Sequence, residues 1–97
     1  MNLLDELENL VRKTKIGEWK LVKGCFIHKR SGLHIGPTSK STYAISRLER
    51  NGRVNVLYEG DRAWEIYCFL EFSYSVALDY AGKEAEISRL VYALGNR

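Results

Sequence analysis

Apolar side chains fall at Leu3, Leu4, Leu7, Leu10 and Val11, with Asp5, Glu6, Glu8, Asn9, Arg12 and Lys13 between them. That spacing gathers the leucines on one side of a 3.6-residue turn and predicts an amphipathic first helix. Asn2 is placed to cap it, and the acids in its first turn and bases in its last suit the helix dipole. A short connector then leads to Gly17.

From Glu18 to Arg30 the period changes to two. Trp19, Leu21, Cys25 and Ile27 hold one parity and Lys20, Val22, Phe26, His28 and Arg30 the other, which predicts strand. Gly24 interrupts it, either as a bulge in one long bent strand or as half of a Lys23-Gly24 hairpin turn, with the bulge slightly preferred. Ser31-Gly32 reads as a tight turn into a short strand, Leu33 to Ile35. Gly36 to Ser41, with the single proline at Pro37, reads as loop.

The strongest local signal is YAISRLERNGRVNVLYEG, two β-type runs around Asn51-Gly52. A two-residue turn would set Arg50 against Arg53. A three-residue loop with Gly52 left-handed instead sets Glu49 opposite Arg53 and Leu48 opposite Val54, and charge favours that register. It assigns Ala44, Ser46, Leu48, Val54, Val56 and Tyr58 to the buried face and leaves Tyr43, Arg47, Glu49, Arg53 and Asn55 on the open one.

Asp61 then caps a helix from about Arg62 to Tyr80. Its apolar residues, from Trp64 through Ala77, cover more than one stripe, so a single contact with a sheet cannot bury them all. Ala81-Gly82 breaks the pattern. A last short helix carries Ile87, Leu90, Val91 and Leu94 on one face and stops at Gly95. The expected architecture is one α+β domain over residues 1–97, in the order α-β-β-β-β-α-α. It has an N-terminal helix, an antiparallel sheet of about four strands, a long aromatic-rich helix and a short C-terminal helix.

Composition narrows the class. The 97 residues are 45% hydrophobic with eleven aromatics, unlike a disordered chain. The acidic N-terminus lacks the pattern of a secretory signal, and the longest apolar run, Ile66 to Leu70, is far short of the ~20 residues a membrane span needs. Two distant cysteines, Cys25 and Cys68, suggest reduced thiols. A cytoplasmic location is the expectation.

Charge adds the one functional clue. Residues 1–10 hold three acids and no Lys or Arg. From 11 to 53 there are eleven basic residues against Glu18 and Glu49. From 54 to 97 four basic residues face seven acids. The basic residues fall mostly on strands and turns. Lys20, Lys29, Arg30, Lys40, Arg47, Arg50 and Arg53 are therefore expected on one solvent-facing sheet surface with Tyr43 available for base stacking, a nucleic-acid footprint. The helix-sheet-helix order is similar to that of double-stranded RNA-binding domains, but that family opens its last helix with a lysine cluster. Here the residues are Asp61, Arg62, Ala63, Trp64 and Glu65, so the likeness is one of architecture alone.

Other chemistry fares less well. Cys25, His28, His34 and Cys68 are zinc-ligand types, but residues three apart on a strand point to opposite faces, so Cys25 and His28 cannot share a metal without a bulge. GLHIGPTSKS has Ser39 where a phosphate loop needs glycine. Glu59, Asp61 and Glu65 are accounted for by capping and solvation. No cofactor, metal or catalytic residue is expected. Trp64, Tyr67, Phe72 and Tyr74 exceed what so small a core needs and are expected to form a dimer or partner surface. The expected function is a non-enzymatic protein whose basic sheet face contacts DNA, RNA or a nucleic-acid-containing complex. The alternative is a protein-protein interaction module, such as a small phage or mobile-element inhibitor or adaptor that binds an acidic protein surface.

Overall fold

The computed structural model describes residues 2–95. Helix α1 (Leu3–Lys13) opens with the Asn2 side chain accepting a 2.8 Å hydrogen bond from the Asp5 N–H, the cap anticipated from sequence. Thr14 closes it, donating its hydroxyl to the Val11 carbonyl at 2.6 Å and accepting from the Trp19 indole N–H at 2.7 Å. A 3-10 turn (Ile16–Glu18) leads into strand β1.

Five strands follow, one more than expected: β1 (Trp19–Val22), β2 (Cys25–His28), β3 (Leu33–Pro37), β4 (Tyr43–Leu48) and β5 (Val54–Glu59), paired in chain order as an antiparallel meander. The extra strand arises at Gly24. Lys23 and Gly24 both take positive φ, 51° and 78°, between the paired residues Val22 and Cys25. That is a two-residue hairpin turn whose twist matches the strands, so the anticipated bulge is replaced by a turn. Strand β3 also runs two residues beyond Ile35, where Gly36 and Pro37 pair with Ala44 and Tyr43. The β4–β5 turn has the expected register: Leu48 faces Val54, the Glu49 N–H bonds the Arg53 carbonyl at 2.8 Å, and Gly52 sits at φ 83°.

Which face is buried differs from the expectation. Phe26, Leu33, Ile35 and Ile45 are fully buried on the face covered by the helices, with Trp19 beside them. Register places Tyr43 and Arg47 on that face too, and Ala44, Ser46, Leu48, Val54 and Val56 on the other. Of the predicted buried set, Ala44 and Ser46 are buried as expected but on the other face, and Tyr58 packs against the core cluster. A bulge between Ile45 and Ser46 leaves Leu57 without an opposite residue and resets the parity of β5 before Tyr58. Leu48, Val54 and Val56, expected to be buried, are exposed.

Helix α2 spans Asp61–Gly95, 35 residues without interruption. The expected break at Ala81-Gly82 is absent: an exposed helical glycine costs only about 1 kcal/mol, and alanines nearby favour the helix. The first half does the packing. Ala63, Ile66 and Leu70 are buried against the sheet and α1, which contributes Leu7 and Val11. Polar contacts fix the helix pair, with Arg62 ion-paired to Glu8, Glu8 to Arg12 at 3.2 Å, and the Arg12 guanidinium 5.2 Å over the Phe69 ring. From Leu78 to Gly95 every residue is exposed, and the molecule measures 59 × 28 × 28 Å. No helix among the described residues is long and apolar enough to cross a membrane.

The face assignment is testable by denaturation. Ile45→Ala is expected to lower unfolding stability by about 3–4 kcal/mol. Val56→Ala, on the uncovered face of a strand the sequence pattern counted as core, is expected to cost less than about 1 kcal/mol. Equal losses in urea titrations of the two variants would contradict this packing.

Candidate nucleic-acid interface

In an antiparallel meander the turns alternate between the two ends of the sheet. The β2–β3 turn, carrying Lys29 and Arg30, and the β4–β5 turn, carrying Arg50 and Arg53, therefore share one end with the start of β1 and the Lys15–Lys20 segment. The β2–β3 turn is also bonded to the end of β4, since the Gly32 carbonyl accepts from the Leu48 N–H at 2.9 Å. Gly32 stands at φ 75°, and a Cβ there would approach the Leu48 carbonyl oxygen to 3.1 Å, so glycine is what permits this contact.

Lys20, Lys29, Arg30, Arg50 and Arg53 are exposed at this end. The expected basic surface is thus a basic end; Lys40 and Tyr43 lie away from it, and Arg47 is at this end but on the covered face. Lys40 sits in the β3–β4 loop at the opposite end. Tyr43 is half-buried on the helix-covered face, its ring 4.9 Å from that of Tyr67 and tilted against it. Arg47 shares that covered face, with its Nε buried and unpartnered in the described structure. Strand alternation is the reason: Tyr43 and Arg47 have the parity of Ile45, the fully buried aliphatic residue of β4.

The aromatic surface divides in the same way. Tyr67 packs edge-on to Phe26 at 5.3 Å and donates its hydroxyl to the Gly24 carbonyl at 3.0 Å, and burial pushes its phenol upward. Tyr74 meets Phe26 at 5.9 Å. Both belong to the core periphery. Trp64 and Phe72 are exposed, at 50% and 70%.

Behind the basic turns lies an arrangement that sequence reasoning missed. An open cleft is lined by Glu18, Trp19, Lys20, His28, Lys29 and Arg30, and the His28 ring in it is buried. His28 Nε2 lies 2.9 Å from a Glu18 carboxylate oxygen, and Nδ1 lies 2.7 Å from the Ser31 hydroxyl. The Ser31 backbone N–H also points at Nδ1, at 3.3 Å, which makes Nδ1 the acceptor and places the ring proton on Nε2, donating to Glu18. The parity of His28 with Phe26 was the available signal.

A serine, a histidine and a glutamate in series invite comparison with a hydrolytic triad. The geometry instead describes a clamp. Ser31 is three residues from His28, its hydroxyl accepts from the Leu33 N–H at 3.3 Å, and it does not line the cleft. These bonds tie the basic β2–β3 turn to the segment entering β1. Glu18 is held below its ordinary acidity range first by the His28 hydrogen bond. Among the described residues no group of three or more His, Cys, Asp or Glu gathers as a metal site. Cys25 is half-buried on the uncovered face, where burial raises its thiol, and Gly36 leaves it room.

Compared with family models, curated proteins and solved structures, the chain matches none of them.

The Glu18–His28 bond gives a pH signature. A carboxyl depressed in the folded state stabilises the fold above its unfolded pKa, and that contribution disappears as pH falls from about 4.5 through the folded value. Glu8, lowered chiefly by its Arg62 hydrogen bond, acts in the same window. The acid slope of the melting temperature should therefore flatten partly in Glu18→Gln and further in Glu8→Gln/Glu18→Gln. Acid slopes unchanged from wild type would remove the clamp from the account.

Proposed function

We propose that this chain is a non-enzymatic binding protein that engages a nucleic-acid backbone through the basic end of its sheet. The observation that supports this is the convergence of Lys20, Lys29, Arg30, Arg50 and Arg53 at one end of the antiparallel meander. The acids near them are Glu18, committed to His28, and Glu49, in the β4–β5 turn. The two turns are two strand spacings apart, about 10 Å, a distance covered by a few nucleotide steps of about 3.4 Å rise. Exposed turn cations over an anchored backbone are suited to phosphate contacts, which position a nucleic acid without reading its sequence. With Tyr43 in the covered layer, base stacking is left out of this reading, which rests on phosphates alone.

The rival reading, an adaptor or inhibitor that meets an acidic protein surface, uses the same cations and is separated from the first by one titration. Fluorescence anisotropy of labelled duplex DNA, single-stranded DNA and duplex RNA at about 50 and about 200 mM salt should show binding that weakens steeply with salt. Replacing Lys29, Arg30, Arg50 and Arg53 by alanine should lower the log-log salt slope by up to about 3–4 units. Lys40→Ala, at the other end, should leave the slope unchanged. Absence of binding to all three probes at the lower salt would transfer the basic end to an acidic protein partner.

A further inference from the structure

The exposed half of α2 carries a pattern with its own symmetry. Beyond the reach of α1, the side of the helix that packs on α1 lower down continues as Ser73, Val76, Ala77, Tyr80, Lys83, Glu84, Ile87, Leu90, Val91 and Leu94. These positions recur every 3.5 residues, the period of a helix-pairing seam. The six large apolar residues among them are 49% to 64% exposed. Helical extensions of this length are marginal in water when their apolar face is unpaired.

The spacing of the seam, though not its residue types, is symmetric about the Lys83-Glu84 step. Reversed around that point, Tyr80 exchanges with Ile87, Ala77 with Leu90, Val76 with Val91 and Ser73 with Leu94. An antiparallel two-fold contact about that point would set each of these residues against its exchange partner on the other copy, an isologous pairing. We infer that α2 pairs with α2 of a second copy of this chain, antiparallel, with the two-fold axis at Lys83-Glu84.

Three observations single out this occupant. In the antiparallel pair Lys83 of each copy falls opposite Glu84 of the other, so the one charged layer of the seam sets opposite signs together. A parallel pair would instead put equivalent charged layers in register and hold two basic globular heads side by side, whereas the antiparallel pair holds them at opposite ends. The last apolar turn of the helix also has a seat. Leu94 of the second copy falls at Ser73, where Ile16, Phe72, Val76, Ala77 and Tyr80 line an open apolar notch.

The area suffices as well. Covering the six large residues removes on the order of 600 Å² per copy, and the flanking residues bring the total into the roughly 1,200–2,000 Å² range of specific interfaces. This surface is distinct from the expected one: among Trp64, Tyr67, Phe72 and Tyr74 only Phe72 borders it. The pairing stands independently of the nucleic-acid reading.

Sedimentation of the full chain tests it first. A dimer at micromolar concentration is expected, and Ile87→Asp/Leu90→Asp should be monomeric with an intact head, judged by Trp19 and Trp64 fluorescence. Lys83→Glu gathers four carboxylates at the axis and should weaken the dimer roughly tenfold or more, while Lys83→Glu/Glu84→Lys restores it. Orientation is read by oxidation and mass spectrometry of linked peptides. Val76→Cys and Val91→Cys should cross-link to each other on mixing and not each to itself. A wild-type monomer up to about 100 μM, or self-linked Val76→Cys, would overturn the proposal.

Discussion

Phe26, Leu33, Ile35 and Ile45 form a flat apolar patch that water must not reach, and the first half of α2 is what excludes it. Each such side chain contributes about 1.5–3 kcal/mol when fully buried, and a domain of this size has few others. Ala63 lets the helix approach the sheet, Ile66 and Leu70 fill the space between sheet and α1, and Tyr67 secures the helix to the β1–β2 turn. The remaining architecture follows from that lid. The helix must start where β5 ends, cross the sheet, and leave past the 3-10 turn that guides the chain into β1. Its second half is then carried beyond the reach of anything else in the described chain.

Much of this was legible in the residues, and the exceptions have physical causes. Asn2, the leucine spacing and the charges of its first and last turns determine α1 locally. Asn51-Gly52, with charges that oppose one register and reward the other, determines the β4–β5 turn. Both are problems of neighbouring residues. Face assignment is not. Residues 44–48 and 54–58 carry apolar side chains at both parities, and the uncovered face is itself apolar, so alternation has no polar side to identify. The bulge at Leu57 then inverts parity within a single strand. Gly24 was ambiguous because a left-handed glycine serves a bulge or a turn equally. Gly82 misled for the opposite reason: one glycine seldom overrides a run of good helix formers.

The basic cluster shows the same division. That cations would concentrate between residues 11 and 53 is evident from the sequence, but their gathering at one end results from strand pairing. A meander places every second turn together, so Lys29-Arg30 and Arg50-Arg53, twenty residues apart, become neighbours. His28 is the hidden element. Buried beneath Trp19, their ring centroids 5.0 Å apart, it joins the entry to β1 with the turn that bears two of the cations. A polar side chain inside an apolar layer thus stiffens the part of the surface where the charge is displayed.

Helix α2 is anchored along its first turns and free along its last, which makes it a lever. Ser73 to Leu94 spans about 32 Å at 1.5 Å per residue. A tilt of roughly 5° where Ile66 and Leu70 grip the core would displace Leu94 by about 3 Å, most of the width of a side chain, without breaking a backbone hydrogen bond. Force applied near Leu94 is multiplied in the other direction, arriving at the Arg62–Glu8 pair and the Phe26 layer with the advantage of the long arm. Whatever grips the outer half of this helix therefore acts mechanically on the core.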